Sequence, residues 1–176
     1  MEQTDSRPFV FWLELLPVFG RLVELNYKLN KNYMILPIIH YPDPILKQVA
    51  KPVEKIDNTI INLIGDMFDT MKVNGGCGLA APQIGQSIQL AVVKNGPHSL
   101  VLINPLIEKF GGGSTTIPEG CLSIPNKQFS VTRRNKIIFS CLNENGLKIR
   151  LEANGMFSRI IQHEIDHLNG ILIIDK

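Results

Sequence analysis

The chain has 176 residues, 44% of them hydrophobic and 19% charged, which suits one soluble domain with a single core. Its formal net charge of +2 is too small to signal nucleic acid or an anionic membrane as a partner. Three cysteines, Cys77, Cys121 and Cys141, without a tight pairing pattern, argue against a disulfide framework and point to a reducing compartment, where a thiolate stays available as a metal ligand.

Residues 1–33 read unlike the rest. The stretch from Phe9 to Leu25 is apolar but broken by Glu14, Pro17, Arg21 and Glu24, so its charge-free runs fall short of the roughly 20 residues a membrane span needs. Glu2, Asp5 and Glu14 also argue against a signal or transit peptide. Two readings stand: an amphipathic helix that docks on the domain or a partner, and an upstream extension, with translation also starting at Met34. The extension is the plainer one, and residues 34–176 then form the domain.

After Met34, Pro42, Pro44 and Pro52 punctuate an irregular arm. Between Asp57 and Asn74, Ile60, Ile61, Leu63, Ile64, Met67, Phe68 and Met71 recur at helical spacing. Asp57 or Asn58 can cap that helix, and Gly75 with Gly76 ends it. Short runs of strand character follow at Ile88 to Lys94, Val101 to Ile103, Leu106 to Phe110 and Lys127 to Val131. Lys136 to Leu142 and Leu147 to Leu151 flank Asn143-Glu144-Asn145-Gly146, a hairpin signal. Asn154 to Leu168 reads as a helix stopped by Gly170, and Ile171 to Ile174 as a last short strand. Helices separated by strand runs with tight turns imply an α+β fold with mainly antiparallel sheets.

On the second helix, His163-Glu164-Ile165-Asp166-His167 fits the pattern H-E-x-x-H. Positions i and i+4 share a helical face, so both imidazoles can reach one divalent ion. Glu164 stands at the edge of that face, where it can take a proton from a water acidified by the ion and pass it to a leaving amine. A catalytic site of this type keeps three protein ligands and one open position. Only residues 168–176 follow His167, with Asp175 as their one possible ligand, and Ile173 occupies the position where a longer peptidase motif has its third histidine. The third ligand is therefore sought upstream. Cys141 lies in a strand pattern as a small core residue, and His40 and His98 have no motif around them. Cys77 and Cys121 both sit in glycine-flanked segments, and the residues alone leave the two open.

Three segments together resemble the peptide deformylase family: Gly76-Cys77-Gly78-Leu79-Ala80-Ala81-Pro82-Gln83, Glu119-Gly120-Cys121-Leu122-Ser123 and Gln162-His163-Glu164-Ile165-Asp166-His167. The similarity runs from about Met34 to the C-terminus. It implies antiparallel sheets packed around a central helix that carries H-E-x-x-H, and a hydrolase that removes the N-formyl group from the formylmethionine of new proteins. By the same resemblance Cys121, His163 and His167 bind the metal, Fe²⁺ in vivo with Zn²⁺, Ni²⁺ or Co²⁺ accepted, and Glu164 is the general acid/base. The side chain of Gln83 and the backbone N–H of Leu122 would stabilise the oxyanion, and Gly78 would offer backbone contacts to the substrate. Met156 and Ile160 share the helical face of His163 and are expected to wall the pocket for the methionine side chain. An ion pair between Asp166 and Arg133 would fix the helix against the sheet. Glu119 is expected to orient its loop, and Cys77 to be packing.

Gln128 stands where many deformylases have Arg, Thr132 replaces a frequent Pro, and the sequence stops at Lys176, without the C-terminal helix that in bacterial relatives assists docking on the ribosome. Implied partners are N-formylmethionyl peptides or nascent chains, and the ribosome. Bacterial cytoplasm is the default compartment, beside an organelle or a virus-encoded enzyme. The alternatives are another metal-dependent peptidase or amidase, and a catalytically inactive metal-binding homologue.

Overall fold

The computed structural model describes residues 34–176; the amphipathic-helix and extension readings of residues 1–33 lie outside the described residues. Asp57 opens helix α1 (Asn58–Val73), its carboxylate accepting from the backbone N–H groups of Thr59 (2.9 Å) and Ile60 (3.2 Å), which satisfies donors that the first helical turn leaves unpaired. Five strands follow: β1 (Gly78–Ala80), β2 (Leu90–Asn95), β3 (His98–Cys121), β4 (Ile124–Leu142) and β5 (Lys148–Asn154), then helix α2 (Gly155–Leu168). They form one sheet in the order β1-β2-β3-β4-β5, every pair antiparallel. The α+β class and antiparallel pairing are as expected, in a single sheet where several were expected.

The short runs at Leu106 to Phe110, Lys127 to Val131 and Lys136 to Leu142 belong to two long strands. Register shifts between Ile107 and Lys109, and between Gly111 and Ser114, break the alternation that marks a strand in sequence. The hairpin after β4 is present, and Asn143 Oδ1 ties it by accepting from the N–H groups of Asn145 (3.0 Å) and Leu147 (2.9 Å). The expected last strand at Ile171 to Ile174 is absent: Ile173–Asp175 forms a 3₁₀ turn, with Asp175 accepting from Leu172 N–H and pairing with Lys47.

Strand alternation divides the core. Leu90 and Val92 of β2, with Val101 and Ile103 of β3, meet Ile64, Met67 and Met71 of α1. Their neighbours Ala91, Val93, Leu100 and Leu102 point the other way, toward Ile160, Ile161, Ile165 and Leu168 of α2. A strand buried on both faces reads as a continuous apolar run, and Leu90-Ala91-Val92-Val93 is one. Helix α2 packs against β1, β2, β4 and β5. Its end is fixed by Gly170, which has φ +71° and lies so near the arm that a Cβ there would stand 2.5 Å from the carbonyl oxygen of Lys47. Only glycine suits both demands.

Candidate metal centre and catalytic cleft

Strands β3 and β4 meet in a two-residue turn, Leu122-Ser123, that places Cys121 at the end of β3 opposite Ile124. From α2, His163 and His167 approach the same point. Cys121 Sγ lies 3.2 Å from His167 Nε2, which lies 3.2 Å from His163 Nε2, and the three ligand atoms all fall within 4.8 Å of one another. Tetrahedral coordination with Zn–S near 2.3 Å and Zn–N near 2.05 Å separates N from N by about 3.4 Å and S from N by about 3.6 Å. The spacing thus fits one ion with little adjustment. Cys77, the other sulfur the residues left open, is not in this group. It was expected to pack, yet its side chain is exposed and it lines the cleft.

The surroundings set the protonation states. His163 Nδ1 meets Glu119 Oε2 at 3.1 Å, an arrangement that turns Nε2 inward as a ligand. Burial opposes a charged His163, but hydrogen bonds with Cys121 and Glu119 outweigh it and hold its pKa at about 10 when no cation offsets the thiol and carboxylate. Burial, and then the charges of His163 and Arg133, push His167 well below its ordinary value, favouring the neutral form that binds metal. Glu164 is 3% exposed, and burial raises its carboxyl to about 7, the range in which a group both takes and returns a proton near neutrality. Its Oε2 is buried without a hydrogen-bond partner, which leaves it available to a water or substrate proton.

The pairing of Arg133 with Asp166 is present, Nη1 to Oδ2 at 2.6 Å. Glu119 does more than orient its loop. It receives both forks of Arg133, at 2.7 and 2.9 Å, and Arg159 at 2.5 Å, while holding His163. Against the cost of burial, His163 and the two guanidinium groups draw its carboxyl down to about 2. Arg159 has no place in the sequence reading. It also donates to the carbonyls of Val131 (2.9 Å) and Thr115 (2.7 Å), tying α2 to both strands of the β3–β4 ribbon. A signal existed: Arg159 precedes His163 by one helical turn on the apolar face, where a guanidinium needs a buried acceptor.

The remaining expected residues share one cleft of about 840 Å³, lined by Gly78, Gln83, Cys121, Leu122, Met156, Ile160, His163 and Glu164. Gln83 Nε2 donates toward Cys121 Sγ (3.6 Å) and Ser123 Oγ (3.2 Å), while its Oε1 accepts from Ala80 N–H (2.8 Å). Gly78 has a stronger reason to be glycine than contact with substrate: a Cβ there would lie 2.1 Å from Glu164 Oε1. Ile160 is buried, whereas Met156 is 52% exposed at the cleft edge. Cys141 is the core residue expected, 3% exposed.

Residues 35–176 match the family model described as polypeptide deformylase. A peptide deformylase of Dictyoglomus turgidum is 46% identical over 143 residues, covering 81% of this chain and 93% of that protein. One from Carboxydothermus hydrogenoformans is 46% identical over 142 residues, with coverages of 81% and 93%. Among solved structures, a peptide deformylase from Thermotoga maritima superposes with TM-score 0.80 at 38% identity, covering 82% of this chain and 98% of that one. One from Synechococcus elongatus, in complex with actinonin, gives TM-score 0.79 at 43% identity, with coverages of 83% and 81%.

Proposed function

Since this chain belongs to the peptide deformylase family, metal-dependent enzymes that remove N-formyl groups from nascent proteins, we propose that Cys121, His163 and His167 hold one divalent ion and Glu164 moves the proton. The convergence of those three ligand atoms beside a buried, unpartnered carboxylate oxygen carries this reading. When bound, the ion supplies Lewis acidity and lowers the pKa of water toward neutrality. Glu164 accepts the proton of the attacking water and returns it to the amine nitrogen as the formamide C–N bond breaks. The backbone N–H of Leu122 and the Nε2 of Gln83 donate to the formyl oxygen as it gains charge; for Gln83 this means sharing a proton now directed at Cys121 or Ser123.

Specificity has a steric origin. A formyl carbon carries only hydrogen beyond its carbonyl, so a tight fit at the ion rejects acetyl groups. Met156 and Ile160 wall the methionine side chain, and the backbone of Gly78 meets the peptide. Fe²⁺ is the metal of this reading; a thiolate ligand suits soft or borderline ions and makes a ferrous site sensitive to oxidation. Residues 34–176 are the catalytic domain and 1–33 an extension of it. A central place for α2 is supported by its packing on four strands. No helix among the described residues is long and apolar enough to cross a membrane. Work in the cytoplasm at the ribosome is the setting of this reading, testable by cosedimentation.

The test is anaerobic purification, metal analysis and formate release from formyl-Met and acetyl-Met peptides by the wild type and Glu164→Ala. The expected result is cleavage of the formyl peptide alone, with Glu164→Ala keeping its metal and losing at least ~100-fold in turnover. Equal cleavage of both peptides favours a general amidase, and an unchanged Glu164→Ala rate removes that residue from the mechanism.

A further inference from the structure

The cleft exceeds what one methionine needs. Its volume of about 840 Å³ lies high in the range of pockets that enclose much larger ligands, so it has room for the residues after formylmethionine as well. Charge is unevenly placed along that path. The two lining carboxylates, Glu119 and Glu164, are buried, and Glu119 is already matched by Arg133 and Arg159. On the exposed lining stand Lys127 and His40, with neutral Asn74, Cys77, Asn126 and Gln128, and no exposed carboxylate among the described lining residues. Lys127 forms no ion pair among the described residues. Its neighbour Gln128 pairs with Gly120, and a Cβ on Gly120 would lie 3.9 Å from the Lys127 carbonyl oxygen. The lysine therefore flanks the strand end that carries Cys121, on the exposed lining of the cleft.

We propose that Lys127 gives this enzyme a preference for nascent chains carrying acidic side chains in the two positions directly after the formylmethionine. The proposal rests on the deformylase reading of the cleft. An ammonium on a flexible stem selects the sign of charge without demanding one geometry. A solvent-exposed ion pair of this kind shifts binding roughly two- to fivefold per pair, and the gain fades as salt shortens the Debye length. The attraction acts on bound substrate and transition state alike, so it appears in KM with kcat nearly constant.

Three C-terminally amidated peptides test it: formyl-Met-Glu-Glu, formyl-Met-Gln-Gln and formyl-Met-Lys-Lys. With the wild type, kcat/KM falls in that order, each step about two- to fivefold and lying in KM, and the spread narrows in ~0.5 M salt. Lys127→Glu reverses the order and Lys127→Gln levels it. Lys148→Glu, an equal change of charge at an exposed residue outside the cleft, leaves the wild-type order in place. Equal kcat/KM for the three peptides, or an equal response to Lys148→Glu, overturns the role of Lys127 and leaves the deformylase reading standing. Formate from none of them overturns the deformylase reading itself, and this proposal with it.

Discussion

A methyl group added to Gly78 would lie 2.1 Å from Oε1 of Glu164. The edge strand β1 and the motif helix thus touch at a glycine of the family-like first motif, and the carboxylate fills the space a side chain would take. Gly78→Ala displaces Glu164 without touching a metal ligand. The expected result is a fall in kcat of at least ~100-fold, the scale of general acid–base catalysis, with metal content per chain unchanged. Wild-type turnover in Gly78→Ala would show that Glu164 acts from a position this contact does not set.

Glu119 holds His163 from behind and is itself held by two arginines. Groups of this kind typically contribute 10- to 100-fold in metal affinity. Glu119→Gln keeps the shape but not the charge, and chelator competition should find it weaker for the ion by about tenfold. Glu119→Ala, which also strips buried Arg159 of its carboxylate and leaves Arg133 with Asp166 alone, should lose about 3–5 kcal/mol of stability by denaturant titration. Unchanged metal affinity in both variants would detach Glu119 from the ion.

The three cysteines should label in sequence. Cys77 is exposed and reacts first with a thiol reagent in the metal-loaded protein. Cys121 becomes reactive once a chelator removes the ion. Burial pushes the Cys141 thiol up to about 12; since the thiolate is the nucleophile, Cys141 stays protonated and silent in the folded protein even at pH 9, reacting only on unfolding. Mass spectrometry of labelled peptides reads this order, and early labelling of Cys121 in metal-loaded protein would exclude a sulfur–metal bond.

Phe139 is fully buried between the sheet and α2, so Phe139→Ala should cost about 3–5 kcal/mol. Met156 is 52% exposed, and Met156→Ala should change stability by no more than ~0.5 kcal/mol while raising KM for formyl-Met peptides. Equal effects of the two on stability would mean that Met156 belongs to the core.

Both helices and the Asn143 to Gly146 hairpin were readable because their signals are local: Asp57 as a cap, apolar spacing, and turn residues. The two long strands were not. Bulges near Lys109 and Ser114 reset the alternation of β3, so that strand read as fragments. Ile171 to Ile174 has a strand's composition, but an Asp175 carboxylate bonded to Leu172 N–H curls it into a turn. At the site, spacing alone located the two imidazoles, since i and i+4 is a local relation. The choice between Cys77 and Cys121 depends on where a hairpin turn meets a helix, which no local pattern encodes. Arg159 escaped notice for a similar reason: its acceptors, Glu119, Val131 and Thr115, lie on a ribbon distant in sequence.

Cys121 and His167 are separated by 46 residues, and strands β4 and β5 lie between them. Closing so long a loop costs entropy that is repaid only when the intervening sheet has formed. During its own synthesis the chain presents this thiol well before either imidazole exists. Until β4, β5 and α2 have assembled, Cys121 is an ordinary cysteine open to oxidation or to stray soft metals, so maturation depends on folding outpacing both.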